Sequence, residues 1–259
     1  MLLLLLTQQV FSKEPPDGVL VLKPGGYVFA DYPGIFDAYN DKGITIEGWF
    51  YLTDTPLNYE DRWILIEKPG SYAINIRGKR SSPPIEDEPE GTIHIEYCIY
   101  GFGLYGNGWH PDQDPPINRW VHFAYQIKGT GPVSNSVFFD GMLMTTGWGD
   151  GGPFLNLPDP LFIGGKNGFN SMKGWIDEIR ITKGWRYDTN KKTINPPRRF
   201  LIEEDILALW HFDEGSGSCC YADASGHNRI LITGGTLPVN QEHELSTTWG
   251  NIKKSSNSE

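Results

Sequence analysis

Two segments place polar and aromatic side chains at alternate positions, so each segment would present them on one face of a strand. The first segment spans residues 92–101 and the second residues 118–128. A Tyr and a His beside a uronate would exchange protons α to its carboxylate, which is the chemistry of a polysaccharide lyase. The simpler interpretation, which we favour, is an exposed polar sheet face. The candidate catalytic residues are His94, Glu96, Tyr100, His122 and Gln126.

Two glycine-rich segments, residues 102–117 and 145–153, carry aromatic side chains and read as loops at the rim of the fold. Binding residues are often found on such loops, and flat aromatic faces stack on the apolar faces of sugars. The alternative is that the tryptophans only hold their loops in place. The candidate ligand-binding residues are Tyr105, Trp109, His110 and Trp148.

Residues 174–182 alternate with a period of two, which predicts a strand with Trp175, Asp177 and Ile179 on its more apolar face. A buried carboxylate needs a partner, and no Lys or Arg shares that face. Calcium would serve, with oxygens from the Gly/Ser/Asp loop at residues 222–228. Hydrogen bonds from backbone N–H groups of that loop are the alternative. Glu178 falls on the opposite face, so the pair does not form a glycosidase dyad.

The composition favours a β-rich, acidic protein. The 259 residues include 31 glycines and 19 prolines, with a net charge of −10. Lys and Arg clusters that bind phosphate backbones or anionic membranes are absent from the sequence, so we expect no nucleic-acid partner. No apolar run is long enough to span a bilayer, and we expect no membrane span.

Short apolar or alternating runs separated by turn residues predict the strands. Asp140-Gly141 between two apolar runs is the signal of a tight hairpin. We also expect a hairpin from Val19–Leu22 and Tyr27–Ala30 across Lys-Pro-Gly-Gly. The further predicted strands are 43–52, 62–67, 72–77, 92–101, 118–128, 137–144, 161–163, 174–182 and 206–213.

Several of these segments resemble one family. Ile-Thr-Ile-Glu-Gly-Trp at 44–49, Trp-Val-His-Phe-Ala at 120–124, Phe-Phe-Asp-Gly at 138–141 and Gly-Trp-Ile-Asp-Glu-Ile at 174–179 are similar to blocks of laminin-G-like jelly rolls, in the concanavalin A-like lectin/glucanase superfamily. The resemblance implies an all-β fold, an antiparallel two-sheet jelly-roll sandwich. Members of the family include sugar-binding modules, adhesion domains, hydrolases and lyases. The resemblance therefore indicates the fold more specifically than the function.

Residues 206–217, followed by 222–235, resemble the segment that normally opens this fold, yet here they come last. We therefore expect a circularly shifted single domain over residues 19–235, in which 206–213 pairs into the same sandwich as 19–30. Residues 1–18 read as a signal remnant and linker, and residues 236–259 as a polar, disordered tail. Some relatives hold a structural calcium at the corresponding strand, so the resemblance adds candidate metal ligands at Asp177, Asp213, Asp223 and Asn228.

Three cysteines leave two interpretations open: a disulfide from Cys98 to Cys219 or Cys220, or three free thiols. We expect a secreted or cell-surface, non-catalytic recognition module that binds carbohydrate or an extracellular protein ligand through rim loops. The alternative is a polysaccharide lyase or glycoside hydrolase that uses the face of His94, Glu96 and His122.

Overall fold

The computed structural model describes residues 15–38, 43–57, 61–78, 94–99, 103–108, 117–128, 130–150 and 154–235. Within these ranges the chain forms strands and no helix, so nothing there is a helix that could cross a membrane. The strands are, in chain order, β1 (Leu20–Leu22), β2 (Tyr27–Ala30), β3 (Ile44–Leu52), β4 (Arg62–Lys68), β5 (Tyr72–Arg77), β6 (His94–Ile99), β7 (Gly103–Gly108), β8 (Trp120–Ile127), β9 (Thr130–Phe139), β10 (Met142–Asp150), β11 (Leu161–Ile163), β12 (Gly174–Lys183), β13 (Ile206–Trp210), β14 (Cys220–Tyr221) and β15 (Leu231–Gly234).

These strands form two antiparallel sheets. The seven-stranded sheet has the order β1-β12-β3-β8-β9-β10, with β13 paired to β12, and the eight-stranded sheet has the order β14-β15-β2-β11-β4-β5-β6-β7. The main apolar core includes inward-facing residues of both sheets, among them Ile46, Phe50, Ile74 and Trp210. The predicted antiparallel two-sheet jelly-roll sandwich is confirmed.

The last strands of the described chain complete both sheets. In the seven-stranded sheet β13 pairs with β12, and in the eight-stranded sheet β15 pairs with β2. The prediction that residues 206–213 join the same sandwich as the first strands is therefore confirmed. The circular shift relative to the family order, and the domain limits at residues 19 and 235, stay predictions.

The predicted hairpin of residues 19–30 is wrong, because its two strands belong to different sheets. β1 pairs with β12, whereas β2 pairs with β11 and β15. The Lys23–Gly26 turn, closed by a 2.8 Å hydrogen bond from Gly26 N to Lys23 O, carries the chain across the edge of the sandwich. The hairpin at Asp140-Gly141 is present, and both residues have the positive φ that its tight turn requires.

Both segments predicted as rim loops contain strands. Residues 103–108 form β7 and residues 142–150 form β10, and each strand lies at the edge of its sheet. Glycines weaken strand propensity and suggested loops, but pairing with β6 and β9 outweighs that local preference. Register shifts in β10, between Leu143 and Thr145 and between Gly147 and Gly149, accommodate the irregular sequence.

A bulge in β12 breaks the strict alternation expected there. The register with β3 shifts between Asp177 and Arg180, and Glu178 takes a φ of 57°. As a result Ile176, Ile179 and Ile181 all reach the core. Asp177 and Arg180 sit opposite Trp49 and Glu47 of β3, on the outer face of the seven-stranded sheet.

The connector between β12 and β13, residues 184–205, covers that outer face. The side chain of Gln126 in β8 takes the place of a backbone carbonyl. Its Oε1 accepts hydrogen bonds of 2.8 and 2.6 Å from the N–H groups of Arg186 and Tyr187 in the connector. Phe200 packs its ring 4.3 Å from the Arg180 guanidinium. The predicted exposed polar face on β8 is therefore wrong, since His122 and Gln126 are completely buried.

Candidate functional site

A cleft of about 380 Å³ opens at one end of the sandwich. Three segments form it: the Lys23–Gly26 turn, the start of β4, and residues 164–173 between β11 and β12. The last segment, which we call the cleft loop, joins a strand of one sheet to a strand of the other. The lining residues are Pro24, Gly25, Asp61, Arg62, Trp63, Gly168, Phe169, Asn170, Ser171 and Lys173.

The cleft loop owes its shape to a tight turn at its tip. Lys166 and Phe169 exchange backbone hydrogen bonds of 3.0 and 2.9 Å across Asn167-Gly168, whose φ values of 51° and 81° are those of a type I′ turn. Asn-Gly is the preferred pair for this turn because both positions need positive φ. The turn projects Phe169 into solvent, where it is 74% exposed.

The base of the cleft loop is hydrogen-bonded to β4 and closed on itself. Ile64 N donates to Asn170 O at 2.8 Å, and Met172 N donates to Gly164 O at 2.9 Å. Gly164 has a φ of 78°, and a Cβ there would collide with the side chain of Leu22. The loop tip is therefore presented from a rigid base, which limits the entropy lost when a ligand binds.

Aromatic and cationic groups share the cleft. Trp63 forms part of its wall and is 9% exposed, and Lys173 Nζ lies 5.7 Å from the centre of the Trp63 ring. Lys173 also forms a 2.6 Å ion pair with Asp54. Apolar ring faces next to charged donors match the mixed surface of a sugar, which has apolar C–H faces and hydroxyl edges.

The polar groups around the cleft differ in how far a ligand could reach them. Arg62 Nη2 contacts Glu67 at 3.3 Å, and Lys166 contacts the same carboxylate at 2.8 Å. Arg62 Nε and Ser171 Oγ, by contrast, have no hydrogen-bond partner within the part of the chain that the structure describes. Both atoms are enclosed by the protein, so the groups that a ligand in the cleft could reach are the partly exposed ends of Arg62 and Lys173.

The predicted catalytic residues do not converge on one surface. His94 and Glu96 lie in β6 of the eight-stranded sheet, whereas His122 and Gln126 lie in β8 of the seven-stranded sheet. Tyr100 falls outside the described residues. The predicted groove made from all of these residues is therefore wrong, because hydrophobic packing placed the two alternating strands in opposite sheets.

His122 and Gln126 belong to a buried polar cluster beneath the connector. His122 Nε2 lies 3.6 Å from Glu47 Oε2, beyond hydrogen-bonding range, and the Trp49 ring lies against the imidazole. Glu47 accepts hydrogen bonds of 2.9 Å from Arg180 Nε and 2.5 Å from the Tyr187 hydroxyl. Burial alone would raise the pKa of Glu47, but the neighbouring imidazole of His122, followed by Arg180 and Tyr187, brings it below its ordinary value. The cluster holds the connector in place and offers no access to a substrate.

The predicted sugar-binding residues are not rim-loop residues where the structure describes them. Tyr105 lies in β7, in register with Tyr97 of β6, and Trp148 lies in β10. Trp109 and His110 lie outside the described residues. The sequence-based prediction did not include the cleft loop. Its Asn167-Gly168 pair, followed by an aromatic residue, does indicate a tight turn that presents a ring.

The four predicted calcium ligands have other partners. Asp177 forms a 3.3 Å ion pair with Arg198 of the connector, so the expectation that it lacks a cation is wrong. Asp213 is paired with Arg199 at 2.6 Å. Asp223 accepts three backbone N–H hydrogen bonds of 2.9–3.0 Å, the role that the alternative interpretation gave to Asp177. The carbonyl oxygen of Asn228 accepts a hydrogen bond from the Tyr32 hydroxyl.

In the described ranges no three His, Cys, Asp or Glu residues are grouped as a metal site. Arg198, Arg199 and backbone N–H groups are the partners of the three aspartates in this arrangement. Calcium binding by this chain stays a prediction.

Asp177 is nevertheless an unusual carboxyl group. Burial and the neighbouring negative charge of Glu178 raise its pKa to about 7, although Arg198 acts in the opposite direction. Arg198 itself is stacked between two indole rings, with its guanidinium 4.7 Å from the centre of Trp49 and 4.4 Å from that of Trp120. This contact fixes the connector over the bulge of β12.

Comparison with known proteins agrees with this architecture. Residues 25–187 match the laminin-G-like family model of the concanavalin A-like lectin/glucanases superfamily. A search of curated proteins found no sequence match.

Among solved structures, the chain is similar to a Bacteroides ovatus protein to which carbohydrate binding has been ascribed, with 16% identity and a TM-score of 0.57. The match covers 83% of this chain and 57% of that one, so this chain spans little more than half the length of that relative.

Two further similarities are weaker. The heptameric SAP-like pentraxin of Limulus polyphemus has 10% identity and a TM-score of 0.43, over 83% of this chain and 97% of that one. The LG4-5 domains of the mouse laminin alpha1 chain have 13% identity and a TM-score of 0.34, over 60% of this chain and 40% of that one. The family match extends over more than half of the sequence, and the chain belongs to the concanavalin A-like lectin/glucanase superfamily, in its laminin-G-like branch.

Proposed function

We propose that this protein is a non-catalytic recognition module that binds carbohydrate in the cleft beside Phe169. The proposal rests on a 74% exposed aromatic ring that shares one cleft with the partly exposed side chains of Arg62 and Lys173. The ring would stack on the apolar face of a sugar, while the exposed ends of Arg62 and Lys173 would donate to its hydroxyl or ring oxygens.

The charges around the cleft favour a neutral or weakly charged sugar. Arg62 and Lys166 share Glu67, and Lys173 is paired with Asp54. The cationic groups are therefore already largely neutralised, and no strong positive field remains to select an anionic ligand. Carbohydrate binding has been ascribed to the Bacteroides ovatus relative, which supports the same class of ligand. A location outside the cell or at its surface stays a prediction.

Screening the full-length protein on a glycan array, followed by calorimetric titration of the best glycan, tests the proposal. Phe169→Ala removes a stacking contact of about 1 kcal/mol and should weaken binding about fivefold. Leu201→Ala is the matched control, because Leu201 is 72% exposed and belongs to the connector. Its affinity should equal that of the wild type.

Unchanged affinity of a folded Phe169→Ala variant would exclude the cleft as the binding site. If the array shows no glycan bound and an extracellular protein binds instead, carbohydrate is the wrong ligand class.

A further inference from the structure

The two adjacent cysteines, Cys219 and Cys220, have their sulfur atoms 3.2 Å apart. Neighbouring residues of an extended strand point to opposite faces of the sheet, which keeps their side chains separate. Here Cys219 lies in a bend and β14 begins only at Cys220, so both sulfurs reach the same side of the chain. Their separation is about 1 Å longer than a disulfide bond.

Side chains and backbone groups around the pair hold this bend. The Ser218 hydroxyl donates to Cys220 O at 2.7 Å, and the Thr233 hydroxyl donates to Ser218 O at 2.7 Å. Thr233 N also donates to Cys219 O at 2.9 Å, which ties the bend to β15. The approach of the two sulfurs therefore follows from a hydrogen-bonded backbone conformation.

The pair is open to a reagent and remote from the third cysteine. Both residues are half-buried, and β14 is the edge strand of its sheet. Cys98 lies in β6, six strands away from β14 in the eight-stranded sheet. At ~4.8 Å per strand this separation is about 29 Å, far beyond the ~7 Å limit between the Cα atoms of a disulfide. Of the two interpretations left open by the sequence, a disulfide from Cys98 to Cys219 or Cys220 within one chain is therefore excluded.

We propose that Cys219 and Cys220 are a redox modification site that closes to a vicinal disulfide when a low-molecular-weight disulfide is present. One thiolate attacks the small disulfide, which forms a mixed disulfide and releases one small thiolate. The neighbouring thiolate then attacks the protein sulfur of that mixed disulfide, which forms the Cys219–Cys220 bond and releases the second small thiolate. The protein loses two electrons and two protons, and the small disulfide gains them as two thiols.

The geometry also indicates how the site behaves. Burial and the neighbouring Cys219 raise the pKa of the Cys220 thiol to about 11, so oxidation is expected to accelerate as the pH rises. An eight-membered ring of two adjacent residues is strained, and strained disulfides are more easily reduced. Closure and opening should therefore be reversible.

Mass spectrometry of the full-length protein after exposure to oxidised glutathione tests the proposal. The peptide that contains both cysteines should lose two hydrogen atoms, carry no glutathione, and regain the hydrogens with dithiothreitol. Cys98→Ser, the matched control, should behave the same way. Cys219→Ser and Cys220→Ser should each accumulate a glutathione mixed disulfide at the remaining cysteine, because the second attack is lost.

A second measurement uses the reduced protein and does not depend on oxidation. Phenylarsine oxide bridges two close thiols, so it should protect Cys219 and Cys220 from maleimide in the wild type and in Cys98→Ser. In Cys219→Ser and Cys220→Ser the one remaining cysteine of the pair should still be labelled. Stable glutathione adducts on wild-type Cys219 or Cys220, without loss of two hydrogens, would overturn the proposal. So would full maleimide labelling of wild type after arsenical treatment.

Discussion

Glu178, at a φ of 57°, is the extra residue of the bulge in β12, and it lies beside Asp177. Its carboxylate accepts a 2.7 Å hydrogen bond from Phe200 N and contacts His211 Nδ1 at 2.7 Å. The bulge thus concentrates negative charge under the connector, which the arginines of the connector compensate.

This concentration of charge predicts a pH dependence at Asp177. Its pKa is raised to about 7 by burial and by Glu178, while Asp213 adds to the effect and Arg198 opposes it. The unfolded chain has an Asp pKa of about 3.9, so the folded state binds the proton more tightly. The contribution of this carboxyl to stability therefore falls as the pH rises from about 4 through 7.

Urea unfolding of the wild type and Asp177→Asn at pH 5 and pH 8 measures this dependence. The stability of the variant relative to the wild type should rise between the two pH values, because the variant cannot ionise there. Asp188→Asn is the control: an Asn190 N–H lowers the pKa of exposed Asp188, so its ionisation does not change over this range. If the stability of Asp177→Asn relative to the wild type is constant or falls with pH, the pKa of Asp177 is not raised in the folded protein.

The cleft loop contains two glycines, Gly168 and Gly164, that are needed for different physical reasons. Gly168 needs positive φ at the tip, with open space around it, whereas Gly164 needs positive φ and also packs against Leu22. The first requirement concerns the conformation of a turn. The second concerns the join between loop and core.

Alanine substitutions at the two glycines should therefore have different costs. Gly168→Ala should lower the free energy of unfolding by about 1 kcal/mol, the cost of a left-handed conformation. Gly164→Ala adds a steric collision with Leu22 and should cost more, with a total of about 2–4 kcal/mol. Chemical denaturation of both variants gives the comparison, and equal losses would show that the packing argument at Gly164 is incorrect.

Local sequence patterns predicted most strands and one tight hairpin, because β3, β5 and β8 alternate cleanly and Asp140-Gly141 selects its own turn. They did not predict β7 or the later part of β10, residues 145–150, where pairing overrides glycine content. The bulge at Glu178 was also missed, since one inserted residue does not change composition. The cleft is formed by three segments that are distant in sequence. A local sequence pattern could therefore predict only its Asn167-Gly168 turn.

For the whole molecule, the C-terminal strands are required to complete both sheets. Trp210 of β13 is fully buried in the main core, and Leu231 of β15 is buried in the same cluster. Deleting residues 204–259 would uncover the edges of β12 and β2 and remove these side chains from the core.

The truncated protein should therefore lose its cooperative thermal transition. Differential scanning calorimetry compares it with the full chain and with a control that lacks only residues 236–259. The control should melt as the full chain does. A truncation at residue 204 that melts as sharply as the intact protein would show that the last strands are dispensable.

We propose that carbohydrate binds in the cleft at the end of the sandwich. Hydrogen–deuterium exchange of the full-length protein, with and without the glycan selected on the array, tests it most directly. We predict slower exchange confined to the cleft loop, residues 164–173, to the start of β4, residues 61–63, and to the Lys23–Gly26 turn. Protection elsewhere, such as over β13 or the connector, with the cleft loop unchanged, would contradict it.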